Sequence, residues 1–153
     1  MWPDLQYGTV IFCKDYPFKD GKSDKLILVL GVTEGAALIA MTTSQSPTPD
    51  INPGCEDKRG LFKVQVHARD CFEKDTYIQL YRMGELLPKH VESDFWKTNA
   101  KIIGVLSEHT TNAIRKCVEY SDDISPRHRA LLGKRRVAAP VGVPNAQQAS
   151  PQK

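Results

Sequence analysis

Long apolar runs are missing from the 153-residue sequence. The longest, residues 26–32 (LILVLGV), is far shorter than the roughly 18 residues that a membrane-spanning helix requires. The N-terminus has no basic segment followed by an apolar stretch, which argues against a signal peptide. The four cysteines contain no CxxC pair and are too few for a disulfide scaffold. We therefore predict a cytoplasmic protein with reduced thiols and no membrane partner.

Motifs of the common cofactor and nucleophile enzymes are absent as well. The sequence has no glycine-rich phosphate or dinucleotide loop, no GxSxG turn and no cysteine-nucleophile signature. His67 and Cys71 form the only close pair of strong metal ligands, and nothing nearby completes four ligands at a recognised spacing. A solvent-facing histidine and a core cysteine explain this pair better. We predict no metal site and no cofactor.

Acidic residues are missing after Asp123, where the chain carries six Lys and Arg residues. The whole sequence has a formal net charge of +3, from 21 basic and 18 acidic residues. Residues 1–126 therefore carry a small net negative charge. An affinity of this region for nucleic acid must come from a local cluster of cations rather than from the overall charge.

The chain as far as residue 106 shows repeated β-strand patterns. Short runs rich in β-branched and aromatic residues are separated by segments rich in Gly, Pro, Asp and Lys. Glu34-Gly35 is a two-residue turn signal and predicts a tight hairpin. Residues 14–25 and 44–60 are predicted to be surface loops. The predicted strands are residues 7–13, 26–32, 36–43, 61–67, 76–83 and 101–106.

One helix is predicted after the last strand. Ser107 suits an N-cap, Glu108 suits the positive end of the helix dipole, and apolar residues recur at helical spacing towards Tyr120. We therefore predict an α+β, mainly β fold: a small, strongly bent barrel or sandwich of about five or six strands with a C-terminal helix. Residues 1–125 are predicted to form this domain, and residues 126–153 a basic, largely disordered tail.

Residues 14–25 combine the two kinds of side chain that bind single-stranded nucleic acid. Their lysines can contact phosphates, and their aromatic rings can stack on bases. Three aspartates in the same segment dilute this signal. The alternative is a solvated loop whose rings fold back on the edge of the barrel. The candidate RNA-binding residues of this segment are Lys14, Tyr16, Phe18, Lys19 and Lys22, with Lys25 at its end.

The order of several segments resembles the PemK/MazF family of bacterial toxins. The segments are GTVIFCKDYPFKDGKSDKLILVLG, ALIAMTTSQ, GLFKVQV, DTYIQL and KIIGVLSEHTTNAI. In that family a glycine begins the first strand, a loop with an aromatic residue follows, and a Gly-x-Leu-Ser motif opens the terminal helix. The resemblance covers roughly residues 7–120.

The resemblance implies an SH3-like barrel of the CcdB/MazF type that pairs as a homodimer. It also implies an endoribonuclease toxin of a type II toxin–antitoxin system, which cuts single-stranded RNA in the cytoplasm without a metal or cofactor and so inhibits growth. The ribose 2′-OH attacks its own phosphate, which requires a proton acceptor, a proton donor and a cation near the developing negative charge. A protein antitoxin normally occupies the same groove.

Carried over residue by residue, the resemblance implies Lys25 and Thr43 as catalytic residues. Lys25-Leu26 stands where the family usually has Arg-Pro, and lysine keeps the charge but loses the two-pronged phosphate contact. Thr42 is an alternative to Thr43, and the resemblance adds Thr42, Gln45 and Arg82 to the candidate RNA-binding residues. Arg82 lies one step beyond the later strand's usual Arg and Asp positions, where an exposed strand-end arginine is the alternative explanation. A catalytically inactive barrel that binds RNA or a protein partner through the same groove is the second hypothesis.

Overall fold

The chain folds around a large antiparallel β-sheet. The computed structural model describes residues 2–18, 21–45, 51–66, 71–121 and 124–132, and these ranges contain seven strands and four α-helices. The strands are β1 (Thr9–Phe18), β2 (Gly21–Val32), β3 (Ala37–Thr43), β4 (Gly54–Glu56), β5 (Leu61–Val64), β6 (Thr76–Leu86) and β7 (Ala100–Val105). The helices are α1 (Pro88–Val91), α2 (Asp94–Asn99), α3 (Glu108–Glu119) and α4 (Pro126–Leu132). Two short 3-10 helices cover Trp2–Asp4 and Asp57–Arg59.

The strands lie in the order β4-β5-β6-β3-β2-β1-β7, and each neighbouring pair is antiparallel. The two edges are β4 and β7, and within the described ranges no ladder joins them. The sheet is therefore open rather than a closed barrel. The prediction of a mainly β fold is confirmed.

Two predicted loops contain regular structure. β1 and β2 continue as a ribbon to the pair formed by Phe18 and Gly21, so the prediction of a loop over residues 14–25 is wrong. The ribbon looks like a loop in the sequence because its β2 half, residues 21–24, is exposed and need not alternate apolar with polar residues. The other predicted loop, residues 44–60, contains β4 and the 3-10 helix Asp57–Arg59.

The hairpin and the helix that the sequence predicts are both present. β2 and β3 pair across the Glu34-Gly35 turn. The side chain of Ser107 caps α3 by accepting the Thr110 N–H at 3.2 Å. Helices α1 and α2 are absent from the prediction. The first is only four residues long and the second only six, too few for a periodic apolar pattern.

The central strands are buried on both faces. Leu28 and Leu30 belong to an apolar cluster that α3 and α4 cover, whereas Ile27 and Val29 belong to a second cluster that α1 and α2 cover. Successive residues of a strand point to opposite faces. A strand that is apolar on both faces reads as a continuous apolar run, which explains the LILVL segment.

A disulfide joins Cys55 of β4 to Cys117 of α3, so the prediction of four reduced thiols is wrong. The two residues are 62 positions apart. No spacing motif brings such distant cysteines together, and only the packing of α3 against the β4 edge does so. Cys13 and Cys71 lie outside this disulfide.

The folded part of the chain extends at least to Leu132. Residues 126–132, which the sequence assigns to the tail, form α4. Leu131 and Leu132 are buried in the cluster that also contains Leu28 and Val118. Two adjacent leucines are enough to anchor this short helix, although they form no repeating pattern. The rest of the predicted tail, residues 133–153, lies outside the described ranges.

Candidate anion-binding site

Lys25 lies in β2 directly opposite Cys13 of β1. It is half-buried, and its ammonium group donates a hydrogen bond to the Thr42 carbonyl at 3.0 Å. Burial lowers the pKa of Lys25, and the positive charge of Arg82 lowers it further. The half-buried Lys25 and the exposed Arg82 therefore lie close enough for their positive charges to repel each other.

Arg82 is exposed and belongs to a large bulge in β6. Ala40 pairs with Met83, but the next residue, Met41, pairs with Gln79, so residues 80–82 have no partner in β3. The Gly60 carbonyl accepts the N–H groups of Leu80 and Tyr81 at 2.7 and 3.3 Å. This contact holds the bulge against the start of β5 and so fixes the backbone next to Arg82.

A second bulge, in β1, positions Tyr16. Cys13 pairs with Lys25 and Tyr16 with Ser23, so β1 has one more residue than β2 between these two pairs. The extra residue allows Asp15 to adopt a left-handed conformation with φ of 55°, and the Asp24 carboxylate accepts its N–H at 3.0 Å. Asp24 therefore has a structural role that sequence reasoning missed.

The phenol of Tyr16 is half-buried and electrostatically coupled to Arg82. Burial raises the pKa of Tyr16, the neighbouring Cys13 raises it further, and Arg82 opposes the shift. The phenol is therefore protonated at neutral pH and can donate a proton or a hydrogen bond. Burial also raises the pKa of the Cys13 thiol, and Asp24 and Asp15 add to the effect. Because it stays protonated, this thiol is poorly suited to act as a nucleophile.

The two candidate threonines differ in what their hydroxyls already do. Thr42 is buried, and its hydroxyl donates to the Leu26 carbonyl at 2.7 Å. Thr43 is half-buried, and its oxygen accepts the Gln45 N–H at 3.1 Å. The Thr43 hydroxyl thereby keeps its own hydrogen available for a ligand. The geometry favours Thr43 over Thr42 as the ligand-binding residue.

An open cavity of about 350 Å³ lies beside Lys25. Hydroxyl groups dominate its wall, and Asp24 and Gln45 also line it. Ser23, Ser44 and Thr76 contribute hydroxyls that sequence reasoning missed, because isolated serines and threonines carry no motif. We use the term anion site for Tyr16, Lys25, Thr43 and Arg82 together with this cavity.

The remaining predicted RNA-binding residues differ in their position and in whether the structure describes them. Lys14 and Lys22 are exposed on the β1–β2 ribbon, and Gln45 is exposed just after β3. Phe18 ends β1, but its side chain and Lys19 lie outside what the structure describes. Neither Lys14 nor Lys22 is among the residues that line the cavity.

Across the described residues, no three His, Cys, Asp or Glu side chains gather as metal ligands. Of the predicted His67 and Cys71 pair, His67 lies outside the described ranges. Within those ranges, none of the helices has the length and apolar character to cross a lipid bilayer. No protein-family model matches the chain, and no curated protein matches it significantly.

Proposed function

We propose that this protein is a PemK/MazF-like toxin, an endoribonuclease that cuts single-stranded RNA without a metal. The observation that carries the proposal is the half-buried Lys25, which lines a cavity rich in hydroxyl groups and lies within electrostatic range of Arg82. An anion that binds near the half-buried Lys25 and the exposed Arg82 relieves the repulsion between their two positive charges. The RNA backbone supplies such an anion at every nucleotide.

The residues of the anion site can divide the work of phosphodiester cleavage. Lys25 stabilises the negative charge that develops on the phosphorane, and the Thr43 hydroxyl orients a non-bridging oxygen. Arg82 provides the second positive charge. These roles require the phosphate to sit in the cavity, where Lys25 and Thr43 both line the wall.

Two further groups can move the protons. The 2′-oxygen bonds to phosphorus while its proton passes to the Asp24 carboxylate, which lines the cavity. The bond from phosphorus to the 5′-oxygen breaks, and that oxygen takes the proton of Tyr16, which lies opposite the cavity residue Ser23. The proton that Asp24 accepted then passes through water to the phenolate of Tyr16 and restores the phenol. The products are a 2′,3′-cyclic phosphate and a 5′-hydroxyl.

The proposal extends to the partners and to the architecture. The open, bent sheet is assigned as a variant of the SH3-like barrel, and a protein antitoxin is assigned to the groove at the anion site. Ile103 and Val105 of the edge strand β7 are 40% and 48% exposed. This apolar edge supports pairing of two copies into a homodimer. The proposed location is the cytoplasm.

The second candidate is a barrel that binds RNA or a protein partner without cutting RNA. It is favoured by the existing bond of the Lys25 ammonium to the Thr42 carbonyl, which uses one of the three donors of the lysine. A lysine also makes a weaker geometric match to a phosphate than the arginine that the family usually has.

Cleavage products distinguish these candidates. The full chain is incubated with a 5′-labelled single-stranded RNA in the presence of EDTA, beside DNA and double-stranded RNA of the same sequence. We expect cuts in the single-stranded RNA alone, with 2′,3′-cyclic phosphate and 5′-hydroxyl ends. Binding without cuts would support the second candidate. The absence of both binding and cuts would contradict the first candidate and would leave the second only as a barrel that binds a protein partner. Growth arrest of a bacterial host on expression is the matching test in cells.

RNA binding should weaken at alkaline pH because Lys25 loses its proton more easily than an ordinary lysine. Its pKa lies below the usual 10.5, so its charge, and the phosphate contact that depends on it, is lost as the pH rises towards that value. We expect about a tenfold loss of affinity, since a hydrogen bond to a charged group is removed. Anisotropy of a labelled 2′-O-methyl RNA, which cannot be cut, measures the loss between about pH 7 and 10.

Lys25→Arg is the matched control for this pH dependence. The guanidinium stays charged throughout the range, so its binding curve should be nearly flat. A parallel fall of the wild type and the variant would show that another group controls the pH dependence.

A further inference from the structure

The disulfide ties the short edge strand β4 to α3. β4 has only three residues and, among the strands that the structure describes, pairs with β5 alone. Cys55 is exposed, whereas Cys117 is buried in the core. A cavity of about 440 Å³, lined in part by Asp57, Arg59, Tyr81 and Cys117, lies next to the disulfide. The covalent bond is therefore a main restraint on this corner of the sheet.

The backbone connects this restraint to the anion site over a short path. From Cys55 the chain passes through the 3-10 helix Asp57–Arg59 to Gly60, whose carbonyl binds the N–H groups of Leu80 and Tyr81. Gly60 has a left-handed φ of 64°, and a Cβ there would lie 3.1 Å from the Tyr81 Cβ. The two backbones touch closely at this point. Arg82 is the next residue after Tyr81, at the end of the bulge.

We infer that the Cys55–Cys117 disulfide is a thiol-sensitive clamp that holds the β6 bulge, and with it Arg82, in the arrangement that binds phosphate. The inference rests on the proposed function, because it assigns a control to the same anion site. Reduction frees β4 and the 3-10 helix from α3, loosens the contact of Gly60 with the bulge, and weakens RNA binding. Thiol reductants of the cytoplasm, the proposed location, can do this, so only the fraction of the protein that stays oxidised there has the fully assembled anion site.

The chemistry is ordinary thiol–disulfide exchange with a dithiol as the reductant. One thiolate of the dithiol attacks the exposed Cys55 sulfur, the bond between the two protein sulfurs breaks, and Cys117 leaves as a thiolate that takes up a proton. The second thiolate of the dithiol then attacks the first dithiol sulfur, the bond from that sulfur to Cys55 breaks, and Cys55 leaves as a thiolate that takes up the second proton. Two electrons and two protons end on the cysteines, and the dithiol becomes a cyclic disulfide.

Hydrogen exchange tests the clamp independently of RNA. Amide exchange in β6 is compared in the oxidised protein and after dithiothreitol, with residues 26–32 of β2 as the internal reference. We expect the Leu80 and Tyr81 amides to exchange about tenfold faster after reduction while the reference is unchanged.

Cys55→Ser should exchange like the reduced protein in both conditions. Cys71→Ser, which leaves the disulfide intact, should respond like the wild type. No change in β6, or an equal rise in the β2 reference, would overturn the inference.

RNA binding tests the consequence at the anion site. The probe is a labelled single-stranded 2′-O-methyl RNA. Dithiothreitol should lower the affinity of the wild type and of Cys71→Ser for this RNA about tenfold. A factor of ten is a typical size for the coupling between two sites. Cys55→Ser should bind weakly with or without dithiothreitol. If reduction changes nothing while Lys25→Ala weakens binding, the proposed function stands and the clamp is refuted. If the oxidised wild type binds no RNA, the proposed function fails, and the exchange experiment still decides whether the bulge is clamped.

Discussion

Lys25→Ala should lower the rate of RNA cleavage by about 100- to 1,000-fold, the usual cost of removing one group that stabilises transition-state charge. Lys25 has the three properties that this role requires. It is half-buried, it lines the cavity, and it lies within the electrostatic influence of Arg82. Alanine leaves Arg82 as the remaining cation of the anion site. Single-turnover rates with a labelled RNA at saturating protein measure the loss.

Lys22→Ala is the matched control for Lys25→Ala. Lys22 lies on the same strand but is exposed, opposite Pro17 on the ribbon. The loss of Lys22 should weaken RNA binding modestly and reduce the dependence of the RNA affinity on salt. The cleavage rate at saturating protein should stay nearly unchanged. Thermal unfolding of both variants checks that they fold. If Lys25→Ala cuts RNA as fast as the wild type, the assignment of the anion site as catalytic is wrong.

Gly31→Ala should destabilise the fold by roughly 3 kcal/mol, the upper end of the usual cost of overpacking a core. Gly31 lies in β2 against the end of α4. A Cβ at this position would collide with the Leu131 carbonyl oxygen and lie 2.9 Å from the Leu132 carbonyl oxygen. Backbone atoms cannot rotate away as a side chain can, so α4 must shift. Urea denaturation gives the change in the free energy of unfolding.

Gly35→Ala is the control for this substitution, because a Cβ at Gly35 meets nothing within 4 Å. Gly35 lies in the β2–β3 turn, close to Gly31 in the sequence, so the two variants differ mainly in the contact with α4. We expect Gly35→Ala to stay close to the wild type in stability. Equal stability of the two variants would show that α4 does not pack on β2.

Local signals were sufficient to predict several elements of the fold. The Glu34-Gly35 turn between two apolar runs specifies the β2–β3 hairpin, and a serine cap followed by an apolar face specifies α3. In each case the deciding interactions lie within a few residues along the chain. The β1–β2 ribbon was misread as a loop because its exposed half has no buried face to impose a pattern. α4 was misread as part of a tail because its anchor is a single pair of leucines.

The anion site was predictable only in part. Lys25 and Thr43 came from a family resemblance, and the structure places both on the wall of one cavity. The nearness of Arg82 to Lys25 could not be deduced, because it depends on an irregular pairing of β3 with β6. In a regular ladder the pairing of one residue fixes the pairing of the next. A bulge shifts this register and changes the direction of the side chains beyond it.

By itself, the sequence determined the mainly β character, the hairpin, the capped helix and the local cluster of cations around β1 and β2. These features depend on side-chain chemistry and on contacts between near neighbours in the chain. The tertiary structure decided which distant groups come together: Cys55 bonds to Cys117, Gly60 contacts the β6 bulge, and Arg82 lies within electrostatic range of Lys25. Such contacts arise from the packing of the whole sheet and its helices. Only that packing brings cations that are scattered in the sequence into one candidate site for an anion.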